Sequence, residues 1–164
     1  MGVLFGMRLQ VGSGIDNYIS KLQNLEATAP DVIGEAVYAG ANIVADAVKE
    51  NLENLPVDDT PFGERVTAPR TVQKRGLIKS FGVAKIRNDN GYHNVKLGFD
   101  GYNNLRTKKY PGGQPNAMIA RTFEAGNSFT KKRPFVAPAV RATKDQAEKK
   151  MAQIVDRETA KIMN

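Results

Sequence analysis

Between Ile33 and Leu52, apolar and small side chains recur at steps of three and four: Ile33, Ala36, Val37, Gly40, Ile43, Val44, Ala47, Val48 and Leu52. Such a stripe is buried along one side only as a helix of about five turns, so the rest of the chain must supply a surface to cover it. The polar, proline-containing run Thr28 to Asp31 predicts the start of this helix, near Asp31. Ala36, Gly40 and Ala47 allow a partner backbone close approach, while Glu35, Asp46, Lys49, Glu50 and Glu53 face water or a neighbour. Ahead of it, Met7, Leu9 and Val11 alternate as in a short strand. Ile15, Tyr18, Ile19, Leu22 and Leu25 then repeat at helical spacing, giving a small strand-helix opening.

The covering surface is read from the remainder. Pro56 to Arg75 holds three prolines, Asp58-Asp59 and four basic residues with almost no apolar periodicity, which predicts a long loop with little apolar surface to pin it. Phe81 to Ile86 and Tyr92 to Phe99 read as strands joined through Asn88-Asp89-Asn90-Gly91, a strong hairpin signal because Asn and Gly tolerate positive φ. The first strand alternates poorly, so it is either buried on both faces or carries a bulge. Asp100 to Pro115 is a second irregular segment. Met118, Ile119 and Phe123 mark a short helix, and after Pro138 a final helix carries Val140, Ala147, Met151, Ile154, Val155 and Ile162 in one stripe. The expected architecture is one α+β domain over residues 1–164. A small, mostly antiparallel sheet is packed by a long central helix and a C-terminal helix, with long peripheral loops at about 56–75 and 100–115.

Composition narrows the chemistry. With no cysteine, disulfide frameworks, thiol nucleophiles and Cys-based zinc sites are excluded. His93 is the only histidine, at the start of a predicted strand with no second His or Cys beside it, so a paired-histidine metal site is excluded and a structural or surface role is expected of it. Asp58-Asp59 offers two carboxylates but no third ligand, and adjacent aspartates on a proline-flanked loop more often shape a turn. Gly112-Gly113 lacks the Lys-Ser/Thr ending of a phosphate loop. No enzymatic activity, cofactor or metal is expected. The apolar run at the N-terminus is far shorter than a signal-peptide core and no stretch approaches a membrane span, so a soluble, cytoplasmically made protein with no membrane partner is expected.

The net charge of +7 is uneven: residues 1–64 hold 3 basic and 10 acidic residues, and residues 65–109 hold 11 and 2. An acidic front and a basic back suit head-to-tail packing of subunits. Acidic interface candidates on the central helix are Glu35, Glu50 and Glu53. The basic candidates for contact with a neighbour or with DNA are Arg65, Arg70, Lys74, Arg75, Lys79, Lys131, Lys132 and Arg133. Basic residues interleaved with Phe81, Tyr102 and Tyr110 are also the raw material of nonspecific nucleic-acid binding, the alternative reading, although no DNA-binding motif accompanies them.

Ile119 to Ala139 is the most distinctive segment: a short helical run ends at Gly126, a basic loop follows, and Pro134 and Pro138 bracket Phe135 ahead of a helix. Glu124 is either a solvated helix residue or a partner for a neighbour's cation. Phe135 is a core plug or an interface anchor, with the plug favoured. Glu124-x-Gly126 followed by Pro134-Phe135-x-x-Pro138-Ala139 resembles the neck or tail-completion family of long-tailed bacteriophages. Gly14-Ile15-Asp16, the long helix and Gly76-Leu77-Ile78-Lys79-Ser80-Phe81 extend the resemblance through the chain in the same order. The resemblance implies a structural virion protein at the head-tail junction, forming a sixfold ring through which DNA passes. Its implied partners are copies of itself, capsid connector or stopper proteins, and tail tube or tail terminator proteins. Glu124, Phe135, Pro138 and Leu77 become interface candidates.

Overall fold

The computed structural model describes residues 13–61 and 65–164, the first four of these as backbone only. The strand expected over Met7 to Val11 lies outside them. The expected strand-helix opening and the later helix start near Asp31 are replaced by one element: helix α1 runs unbroken from Ser13 to Glu53 with Pro30 inside it. Proline removes one backbone N-H and normally ends a helix there. Here, packing against the last helix, α4 (Val136–Met163), outweighs that local signal. The two run antiparallel. Lys21 Nζ donates to Met163 O at 2.8 Å near one end, Arg157 pairs with Glu35 at 2.9 Å, and Asn51 Nδ2 donates to Phe135 O at 2.9 Å near the other. Gly40 lets the helices come close at the crossing: a Cβ there would lie 2.9 Å from Met151 Cγ and Sδ, so that side chain would have to shift.

The loop expected to reach Arg75 stops five residues sooner, where helix α2 (Thr71–Ser80) begins. Its start is held by an acceptor far away in sequence: Asp59 Oδ1 accepts from Thr71 N at 2.9 Å and Oδ2 from Thr71 Oγ1 at 2.6 Å. Gln73 Oε1 accepts from Arg70 N at 2.9 Å, and Lys74 Nζ reaches back to the carbonyls of Glu53 and Leu55, both at 2.7 Å. Polar bonds therefore pin this segment where apolar surface is scarce. Lys74, Arg75 and Lys79 stand on a helix, not on a loop.

The hairpin comprises β1 (Phe81–Val83), β2 (Arg87–Asp89), β3 (Tyr92–Asn94) and β4 (Leu97–Phe99). β1 pairs antiparallel with β4 and β2 with β3. Between the two ladders, three residues (Ala84 to Ile86) face two (Val95 and Lys96), so the first strand carries one extra residue, and the bulge is the alternative realised. Asn90 and Gly91 take φ 55° and 91°, as their turn requires. Asp100 to Pro115 is irregular as expected, and helix α3 (Asn116–Ala125) follows it.

The fold is thus α+β, two long helices with small antiparallel pairs beside them. Val48, Leu52, Leu77, Ile119, Phe123 and Phe135 form the center of one buried cluster. Phe135 is fully buried and meets Phe99 edge-on at 5.9 Å, which in turn tilts on Phe81 at 5.1 Å. Among the described residues no helix is long and apolar enough to cross a membrane.

Candidate functional site

The segment singled out by sequence folds into one interlocked unit. The first N-H groups of a helix have no intrahelical acceptor, and the positive end of the backbone dipole favours an anion there. Glu124, the penultimate residue of α3, fills that need for α4. Its Oε2 accepts from Phe135 N at 2.8 Å and Val136 N at 3.0 Å, and its Oε1 from Ala137 N at 2.8 Å. Gly126 ends α3 at φ 72°, with its N-H on Thr122 O at 2.8 Å. A Cβ there would sit 2.9 Å from the backbone nitrogen of Lys132. Arg133 N then donates to Phe123 O at 2.7 Å, and the chain enters α4 with Phe135 as its plug.

The intervening loop is equally fixed. Asn127 Oδ1 accepts from Phe129 N at 2.9 Å and Thr130 N at 2.8 Å, an Asx turn. Val66 N donates to Phe129 O at 2.9 Å and Lys131 N to Val66 O at 2.8 Å, joining this loop to the one after α1. Arg133 Nε donates to Thr67 O at 2.9 Å. Out of this rigid turn Phe129 projects into solvent, 79% exposed, beside exposed Lys131 and Lys132.

These bonds correct several interface candidates. Phe135 and Leu77 are wholly buried in the chain's own core, so neither offers a surface to a neighbour. Glu124 spends both carboxylate oxygens on its own α4, and Pro138 is half-buried in that helix's first turn. Glu35 pairs with Arg157, while Glu50 and Glu53 remain exposed on α1. Among the basic candidates, Arg70 donates to Thr60 O at 2.6 Å and Lys74 closes the end of α1. Arg65, Arg75, Lys79, Lys131 and Lys132 are exposed, and Arg133 is half-buried.

Asp58 and Asp59 have a structural task. Asp58 accepts from Thr67 Oγ1 at 2.6 Å, Thr67 N at 3.2 Å and Thr60 N at 3.1 Å. Its hydrogen bond from the Thr67 side chain, with those from Thr60, holds its carboxyl well below the usual range. The Thr71 hydroxyl, then the Thr71 amide, lowers the carboxyl of Asp59 from its ordinary value. His93 is half-buried on β3, with Nδ1 unpartnered among the described residues. No group of three or more His, Asp or Glu among those residues is arranged to hold a metal ion.

Sequence reasoning missed three features. Phe129 was signalled only by an aromatic two residues after Asn127 in a Gly-Asn-Ser turn. A hollow of about 430 Å³ lies between α2 and the irregular segment, with Val72, Arg75, Lys79 and 69%-exposed Tyr102 in its lining. Asn103 and Asn116, both buried, lie at its base around Gly76, where a Cβ would come within 2.7 Å of each. Third, Tyr18, Ile19 and Leu22 on the first turns of α1 are 52, 45 and 42% exposed. Compared with protein-family models, curated proteins and solved structures, the chain finds no match in any of the three.

Proposed function

We propose that this chain is a structural component of the phage head-tail junction, a neck or tail-completion protein that assembles into a ring. It joins the capsid connector to the tail and leaves a passage for DNA. The observation that carries the reading is that the residues of the resemblance act together. Glu124, Gly126, Pro134, Phe135 and Pro138 make up a single device that turns one helix into the next, with Glu124 as the anion and Phe135 as the plug. That these residues depend on one another within this chain supports reading them as one docking element. The uneven charge along the sequence, acidic over residues 1–64 and basic over 65–109, supports assembly through unlike faces. The virion is the proposed location, with connector or stopper and tail tube or tail terminator proteins as partners.

Removing the gene from the phage that encodes it tests this directly. Filled heads and finished tails should accumulate unjoined, and supplying the protein in trans should restore virions. Normal joining without it would overturn the reading. A second reading, nonspecific nucleic-acid binding, is favoured by one observation: Arg75, Lys79 and Tyr102 line one hollow, two cations beside a ring. It requires that the isolated protein retain DNA with an affinity falling steeply as salt rises.

A further inference from the structure

Two exposed patches with complementary chemistry lie at opposite ends of the molecule. The first is the overhang of α1. Lys21 meets the last residues of α4 through Met163 O, so the turns around Tyr18, Ile19 and Leu22 lie at or beyond the end of the helix that covers the rest of α1. Leu22 is followed one turn later by Glu26, exposed and in no ion pair among the described residues. This face is apolar with a negative edge. The second patch is the turn bearing Phe129, Lys131 and Lys132, an aromatic with a positive edge. It is held rigid by Asn127 and by the pairing of Val66 with Thr130. Such an anchor needs little ordering on binding.

The second patch adjoins the start of α4, which Asn51 ties to the far end of α1. Lys21 and Asn51 are about 45 Å apart along that helix. One molecule cannot bring its two patches together. We infer that the Phe129 turn of one copy docks on the α1 overhang of another, with Phe129 against Ile19 and Leu22 and with Lys131 or Lys132 against Glu26. The contact is heterologous, so it propagates from copy to copy and closes into a ring if the rotation permits. It rests on the self-assembling part of the proposed function and adds the surfaces used.

The lack of cysteine gives a clean background for the test. Leu22→Cys and Phe129→Cys proteins are prepared separately, mixed at high concentration and oxidised. The mixed 22-to-129 dimer should exceed both same-residue dimers, and protein carrying both substitutions should give a ladder. In sedimentation of the cysteine-free protein, Phe129→Ala should weaken self-association about tenfold or more without moving the thermal midpoint. Glu26→Lys should weaken it too, and combining it with Lys131→Glu and Lys132→Glu should restore it. Predominant Leu22 same-residue dimers would mean that α1 pairs with itself, overturning the inference. So would a Leu22→Cys thiol that reacts with a maleimide only after residues 1–12 are deleted, since the chain's own start would then be the occupant. Absence of any intermolecular cross-link has the same force. A 22-to-129 bond in a protein that phage joining does not need would sink the neck reading and leave this contact standing. A protein required for joining that never forms the bond would do the reverse.

Discussion

Glu124 and Phe135 stand eleven residues apart and are joined by one hydrogen bond, yet they stabilise the fold by different means. Phe135 removes a whole ring from water, so Phe135→Ala should lower stability by about 3–5 kcal/mol. Lys131→Ala and Lys132→Ala, which truncate exposed side chains, should each cost under about 1 kcal/mol. Urea denaturation of the three proteins checks this, and near-equal midpoints would contradict full burial of the ring. Glu124→Ala leaves three N-H groups at the start of α4 without their acceptor, and should cost on the order of 1–3 kcal/mol in the same experiment. Glu124→Gln, which keeps one acceptor oxygen, should fall between alanine and wild type. Both substitutions were open to sequence reasoning only in part. Prolines around an aromatic ahead of a helix announced the plug, but nothing local to Glu124 says that its carboxylate reaches forward to the next helix.

Among the elements, those whose signals are local were legible and those fastened from afar were not. Asn90-Gly91 fixed the hairpin turn, and Gly126 fixed the end of α3. The continuation of α1 through Pro30 was hidden, because its cause lies in α4, more than a hundred residues later. The start of α2 was hidden for the same reason on a smaller scale, since its anion, Asp59, comes twelve residues earlier from within a loop. That attachment depends on pH. In the unfolded chain both aspartates titrate near about 3.9, and in the fold they are held lower. A depressed folded pKa contributes stability that is complete above the unfolded value and is lost as pH falls through the folded one. The stability these carboxyls contribute should therefore begin to fall below about pH 4, and the loop after α1 should loosen from α2 at lower pH still, as Asp59 is protonated in the fold. Thermal melts of wild type should fall on that acid limb. Asp58→Asn with Asp59→Asn should melt lower at neutral pH and show a flatter fall, and an unchanged slope would remove the two carboxyls as its cause.

For the whole molecule, charge placement matters more than total charge. Arg75 and Lys79 are exposed on α2 and make no ion pair among the described residues, unlike Lys74, which closes the end of α1. Arg75→Glu with Lys79→Glu should leave the thermal midpoint within a degree or two, since surface substitutions usually shift stability by about 0.5 kcal/mol or less. On the proposed head-tail role, if the hollow beside them meets a partner or DNA, the same pair should block joining of heads to tails or retention of the genome; normal infectivity would mark it as plain solvated surface. The antiparallel pairing of α1 with α4 has a consequence for how the protein comes into being. Glu35 and Arg157 lie 122 residues apart, and Lys21 and Met163 lie 142 apart. During synthesis α1 emerges with its buried stripe uncovered, and must wait more than eighty residues for the helix that covers it. Contacts of such long sequence separation form slowly and leave apolar surface open meanwhile. A ribosome that stalls between the two helices releases a chain without the main cover of α1, and that uncovered stripe is the surface that chaperones and proteases would meet.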